Sequence, residues 1–553
     1  MPVNQSNDVE NESQRPSGID RRDLLKMSAV AGVGAVLERM LDAESLEAQS
    51  ANDSESAPLP PWGSLPMPVG PTHRMSSAGF KLSGDRAFGM APYDDVTRTL
   101  LEYAESVWQK PLAASTLDAL GDLAVDAMSC IIAGFESDAV RASARVASQS
   151  TGTTLKSTVL GYGVTSTVEL ATHTNCCMVR HNDWSDNGLS TSHYSDSIPG
   201  IIAAAEAFHV SGMDTLKCIA VAYELIAAMQ APAGSVTEVW DTIYLAPAAC
   251  MAIGKMLKMN DDQLANAFSL SLATHLVNNV SHSSGPLSMM KACHNASTMQ
   301  GTINSILLAR EGMTGPPAPF QGTKGLYDVM GRPFKVEAPV PQNPRYLYLQ
   351  PGMMVAEAIA LKRYPAEGGL QTMIVNLPEL HKFASRPEDI DSVLVEVSSW
   401  GETGDPAKWD PQNEETADHS MAYVVARGLL DGEIALASFT RPKFTDPAAR
   451  AIMAKLTIRE IPGTSGSPRV TVRKTSGETM TRGAVKRVRM TREEVMQKFN
   501  TVCDYKKVNS AQRDRIREQW LNLKNVASMV DAVKTVAKFG EPRPLSDRKP
   551  NDV

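Results

Sequence analysis

A Cys-x-x-Cys pair is missing from this 553-residue chain, although it holds seven cysteines: Cys130, Cys176, Cys177, Cys218, Cys250, Cys293 and Cys503. Zinc ribbons and the common iron–sulfur centres need several thiolates at short spacing, so neither is offered here. The odd set reads as buried free thiols. His275, His282 and His294 stand seven and twelve residues apart and form no zinc signature. Glycine-rich stretches such as Gly322-Thr323-Lys324-Gly325 lack the strand–loop–helix setting of a nucleotide site. No Gly-x-Ser-x-Gly elbow occurs at Ser281 to Gly285. The expectation is therefore no metal and no cofactor. Positive charge is also not in excess: 54 Lys and Arg face 62 Asp and Glu, a formal net charge of −8. That argues against a nucleic-acid partner, which needs a basic face. A small anionic substrate stays open, because local pocket charge matters more than the total. Beyond the N-terminal region no apolar run reaches the ~20 residues of a membrane span, so stable membrane insertion is not expected.

What is present begins with an address. Arg21-Arg22-Asp23-Leu24-Leu25-Lys26 leads into the apolar run Met27 to Leu37, eleven residues long. A twin arginine ahead of a short, Ala/Gly-rich stretch resembles a twin-arginine export signal, with the twin-arginine translocase as transient partner and a periplasmic destination. The alternative is an amphipathic N-terminal helix. Residues 1–50 are taken as this segment. Residues 51–90, with Pro58, Pro60, Pro61, Pro66, Pro68 and Pro71 among Ser and Gly, read as a linker.

The length calls for at least two domains. Helical periodicity opens near Tyr93, over 97–109 and 116–135, and continues at about 198–210, 214–230, 243–258, 262–277 and 296–311. Strand signals are almost absent before residue 390. After that, 392–398, 454–460 and 469–474 alternate like strands, with a helical stretch at 422–430. Helices return at 491–500, 509–523 and 525–538. The expected fold is mainly α: a large helical domain over 91–357, a smaller α+β insertion over 358–484, and helices over 485–545 that rejoin the first domain.

Four segments, in order, resemble the MmgE/PrpD family. The first is Arg180-His181-Asn182-Asp183-Trp184-Ser185-Asp186 with His193-Tyr194-Ser195-Asp196, and the second is Met290-Lys291-Ala292-Cys293-His294, followed by Arg310 to Pro316. The third is Lys362-Arg363-Tyr364-Pro365-Ala366-Glu367-Gly368-Gly369-Leu370-Gln371, and the fourth runs from Glu415-Thr416-Ala417-Asp418-His419-Ser420 to Gly432. Asn182, Tyr194 and Gly369 depart from the family pattern. Gly369 stands where many members have His, which removes an acid/base group or substrate ligand. The resemblance implies a helical domain with an α+β lid, an active site in the cleft between them, and a homodimer. It also implies an activity among the family's dehydrations, decarboxylations and epimerisations of small polycarboxylic acids such as citrate, aconitate or succinate derivatives.

Those reactions remove a proton, or carbon dioxide, beside a carboxylate. Without a cofactor, the protein must supply cations where negative charge develops, and a base and an acid of suitable pKa. His193 is the leading acid/base candidate, with Asp183 and Asp186 to orient its ring or raise its pKa; the plain alternatives are capping or solvated roles. Lys291 and Lys362 are candidate carboxylate clamps, although lysine is most often a surface charge. His294, three residues after Lys291 and so on the same helical face, is a second acid/base candidate. Glu367 is either a base or a partner of Arg363. His419 either caps a helix or touches substrate. A carboxylate-binding protein without activity is the reading from another class.

Overall fold

The computed structural model describes residues 93–549 apart from 151–153, 189–192, 234–241, 276–277, 282–284, 332, 344–347, 400, 402, 463–467, 484 and 486–487. Arg21, Arg22, the proline-rich stretch 51–90 and His282 lie outside the described residues.

Helix α1 (Asp95–Gln109) starts at Asp94, whose carboxylate accepts the Thr97 N–H. Its buried residues Val96, Leu100, Leu101, Ala104 and Val107 follow the three- and four-residue spacing of an amphipathic helix. Next come α2 (Ala114–Gly134), α3 (Asp138–Ala147), the hairpin β1 (Lys156–Val159) and β2 (Val164–Thr167), and α4 (Val168–His181). The sequence patterns anticipate neither the hairpin nor α3 nor α4. Eleven of the fourteen residues of α4 are buried, among them Thr172, Thr174, Asn175 and Arg180. A helix enclosed on nearly all sides shows no polar face, and polar residues at buried positions erase what periodicity is left. Gly134 permits its close approach to α2, since a Cβ there would come within 2.3 Å of the Met178 carbonyl oxygen.

The chain continues through β3 (Asp186–Asn187), α5 (Ile198–Ala207), α6 (Gly212–Ala233), α7 (Thr242–Met256), α8 (Asp261–Thr274) and α9 (Met290–Arg310). By length and composition α6 passes for a membrane span, against the expectation that no run was long enough. Its apolar window is 89% buried inside the protein. This is a core helix, with Tyr223 and Glu224 buried along it. Helix α9 starts at Met290, earlier than the expected 296, so Lys291 and His294 lie in its opening turns.

Short strand β4 (Ala360–Leu361) pairs antiparallel with β3, Asp186 opposite Leu361. The later sheet holds β5 (Ile390–Val397), β6 (Leu456–Glu460), β7 (Arg469–Lys474) and β8 (Thr479–Gly483) in the order β6-β5-β7-β8. Only the β5–β6 pairing is parallel, and the segment between those strands includes the helix Met421–Asp431. Val393, Val395 and Val397 of β5 alternate into a core with Leu377, Tyr423, Val425 and Leu429. A second, larger core gathers the N-terminal helices with Val495, Phe499 and Val502 of α10 (Arg492–Tyr505) and Ile516 and Trp520 of α11 (Ser510–Leu521). The chain thus leaves the helical core, builds an α+β layer, and returns. Its last described helix, Met529–Lys534, is much shorter than the expected 525–538.

Candidate active site

Helix α4 ends at His181, and two residues later Asp183 adopts φ +49°, a left-handed conformation that Asp tolerates better than most residues. The turn directs a buried carboxylate at two cations and an imidazole. Arg180 Nη1 bonds Asp183 Oδ1. Lys362 Nζ lies 2.6 Å from Oδ2 and donates at 2.8 Å to the Asp183 carbonyl oxygen. His193 Nε2 stands 3.4 Å from Oδ1. Burial alone would raise the Asp183 carboxyl, but Arg180 and Lys362, helped by His193 and His419, hold it well below its ordinary range. The β3–β4 pairing explains the long-range member: it fixes Leu361 opposite Asp186 and so sets Lys362 beside the turn.

His193 is buried and precedes the 3₁₀ turn Tyr194–Ser197 without capping it. Its Nδ1 instead meets Ser185 Oγ at 3.0 Å. Asp183 therefore faces the imidazole, but Asp186 does not, which corrects half of the expected pairing. Asp186 accepts the Ser195 N–H and hydroxyl, the latter at 2.7 Å, and the Tyr223 hydroxyl at 2.7 Å. Burial raises its carboxyl to about 6 despite those donors.

A second group descends from α9. Lys291 is fully buried and paired with Asp418. The other Asp418 oxygen lies 2.6 Å from His419 Nδ1. His419 is not a helix cap: the Ser420 hydroxyl accepts the Tyr423 N–H at 3.2 Å in that role. His294 is buried one turn beyond Lys291. Glu367 is half-buried and accepts the Gly369 N–H at 2.5 Å, while Arg363 pairs with Glu494, so of the two roles weighed for Glu367 that of partner to Arg363 falls to Glu494. A Cβ added at Gly369 would meet only the end of the Glu367 side chain, at 2.9 Å. A Cβ is accommodated there if the end of Glu367 swings aside.

The structure thus joins Asp183, His193 and Lys362 directly, and Lys291 with His419 through Asp418. Each expected lysine clamp is already paired with an aspartate. Several residues of these networks escaped sequence reading. Arg180 and Asp418 lie inside the recognised motifs, where charge at a buried helix end was the available signal. Lys498 of α10 carried none: its ammonium donates to Asp126 at 2.7 Å and to the Trp184 carbonyl at 2.6 Å, supporting the turn from behind. Asp196 is bonded by Asn295 of α9, and burial pushes its carboxyl up to about 7.

A cavity of about 740 Å³ is lined by His181, Asn182 and Glu414 with Arg441, Lys506 and Lys507; Asp183, His193, Lys291, Lys362 and His419 are not among its lining residues. Among the described residues, His181, Glu414 and Glu415 are the set whose donor atoms, within 4.8 Å of one another, have metal-ligand chemistry. His181 Nε2 already meets Glu414 at 3.1 Å, so two members of the set are also paired with each other.

Residues 98–339 match the sequence profile of the MmgE/PrpD N-terminal domain and residues 364–523 that of the MmgE/PrpD C-terminal domain. The 2-methylcitrate dehydratase of Cupriavidus necator is 28% identical over 315 residues, 52% of this chain and 61% of that protein. The mitochondrial 2-methylcitrate dehydratase of Yarrowia lipolytica is 24% identical over 304 residues, 50% of this chain and 56% of that protein. The matched region therefore spans less than two thirds of either relative.

Proposed function

The chain belongs to the MmgE/PrpD family, and from that premise we propose that it is a cofactor-independent lyase that dehydrates or decarboxylates a small di- or tricarboxylic acid. One observation carries the reading: a buried carboxylate, Asp183, held ionised between Arg180 and Lys362 with the His193 imidazole 3.4 Å away. Such a carboxylate orients the ring and stabilises the imidazolium that forms when the ring takes a proton. In the tautomer that carries its proton on Nε2, the nitrogen facing Asp183, Nδ1 is the basic nitrogen, and in this reading the substrate C–H takes the place of the Ser185 hydroxyl. A positioned base of this kind contributes about 10²–10⁴ in rate.

The carbanion-like state needs cations. An ammonium has three donors, and Lys362 directs two of them at Asp183, so the third is assigned to a substrate carboxylate. Lys291 does the same from the Asp418 side. In a water-poor site these preorganised charges act where the new charge appears. His294 and His419 are second-rank proton carriers, and Glu367 borders the same segment. The protein is further proposed to be a homodimer exported by the twin-arginine route, acting on a carboxylate met outside the cytoplasm.

The test is proton NMR of the purified protein in deuterated water with citrate, 2-methylcitrate, aconitate isomers and substituted succinates. New vinyl signals are expected for one of them. Deuterium uptake without net change would replace the lyase reading with an isomerase or epimerase. No change with any of these acids would leave a carboxylate-binding protein or a substrate outside this set.

A further inference from the structure

Cys177 and Cys293 come from distant parts of the chain, yet their sulfurs lie 3.3 Å apart where α4 packs along α9. We propose that they are a modification site: a thiol pair that a low-molecular-weight disulfide, of the glutathione class, converts to an internal Cys177–Cys293 bond. The inference does not depend on the substrate or on the reaction proposed above.

Four observations support it. The pair is isolated by geometry, since the Cys177 thiol donates to the Cys293 sulfur. Access is one-sided: Cys177 is fully buried, whereas Cys293 is half-buried, one turn before the exposed Ser297. The two thiols are electronically unlike. Burial raises Cys177 well above the ordinary thiol range, and the hydrogen bond from Cys177, opposed by burial and aided by His181, lowers Cys293. Finally, a ring nitrogen is at hand: His173 Nδ1 stands 3.7 Å from Cys177 Sγ, a nitrogen it shares with the Ser143 hydroxyl at 2.7 Å, and burial keeps that ring below its ordinary pKa.

The exchange balances as follows. The Cys293 thiolate attacks one sulfur of the external disulfide, whose S–S bond breaks and releases one thiol after protonation by solvent. Cys177 gives its proton to His173 and attacks Cys293 Sγ. The mixed disulfide breaks, and the second thiol leaves with that proton. Two electrons pass from the cysteine pair to the external disulfide. Bringing the sulfurs from 3.3 Å to the bonded distance of about 2.05 Å draws the start of α9 towards the end of α4. Lys291 and His294 flank Cys293, and His181 and Asp183 follow Cys177, so the bond ties together the two segments that carry the candidate site.

The full-length protein is incubated with oxidised glutathione, quenched with acid, and its free thiols are counted in denaturant before peptide mapping. The expected result is a loss of two of the seven thiols and one linked peptide pair holding Cys177 and Cys293, reversed by dithiothreitol. The variant Cys293→Ser should lose none, and Cys177→Ser should stop at a glutathione adduct on Cys293. Seven thiols retained, a stable adduct on Cys293 of the unmutated protein, or a link between other cysteines would each overturn the assignment.

Discussion

Lys362 grips Asp183 twice, with Nζ 2.6 Å from the carboxylate and 2.8 Å from the backbone carbonyl of the same residue. The second contact matters because Asp183 is one of the few non-glycine residues with positive φ. A lysine 179 positions away thus fixes both the charge and the backbone of the turn that faces His193.

Breaking this pair should be costly. Asp183→Asn leaves Arg180 and Lys362 buried without their anion, and a loss of about 3–5 kcal/mol in urea unfolding is expected. Lys362→Met should cost less, because Arg180 still neutralises Asp183. The pH dependence follows from the depressed Asp183 carboxyl. Its folded pKa lies below the unfolded value of about 3.9, so its stabilisation is present above that pH and is lost as pH falls through the folded value. Asp183→Asn should flatten that acid limb; an unchanged limb would show that other carboxylates set it.

Asp196 should behave in the opposite sense. Burial raises it to about 7, so the native state holds its proton more tightly than the unfolded chain. Its contribution is favourable below the unfolded pKa of about 3.9 and is lost as pH rises towards the folded value. Relative to the unmutated protein, Asp196→Asn should therefore gain about 2–3 kcal/mol between about pH 5 and about pH 8. Equal differences at both pH values would mean that Asp196 is ionised throughout.

The proposed export rests on Arg21 and Arg22. Changing both to Lys should hold the protein in the cytoplasm while its circular dichroism and melting stay the same. Unaltered periplasmic yield on fractionation would remove the signal reading and the argument about where substrate is met.

Chelation separates the proposed chemistry from a metal-assisted one. Prolonged EDTA treatment should leave turnover unchanged, with His181, Glu414 and Glu415 acting as an ion-paired cluster. Activity lost with chelator and restored by a divalent cation would assign that cluster a metal and contradict cofactor independence.

The legible parts of this sequence were those where burial is one-sided. Helix α1 and strand β5 expose one face and bury the other, and their periodicities are correspondingly clear. The site motifs were legible through resemblance, because Asp183, His193, Lys291, Lys362 and His419 fall within short segments of fixed order. Helix α4 was not legible, although it ends at the site, since its buried Thr, Asn and Arg residues follow no amphipathic stripe. Partnership was the hardest to read. Spacing offered both Asp183 and Asp186 to His193, and left Glu367 as either a base or a partner of Arg363. The fold gives Asp186 to Ser195 and Tyr223, and Arg363 to Glu494. The Tyr223 and Glu494 contacts cross more than thirty residues, as does the Lys498–Asp126 support.

The most direct measurement is the steady-state kinetics of His193→Gln on whichever carboxylate the unmutated enzyme consumes. Glutamine keeps polarity and approximate size, so the fold should persist. The expected result is a fall in kcat of about 10²–10⁴ with little change in KM, whereas Lys291→Ala and Lys362→Ala should also raise KM. A His193→Gln variant with near-native kcat, beside an inactive His294→Gln, would contradict the assignment and move the proton transfer to α9.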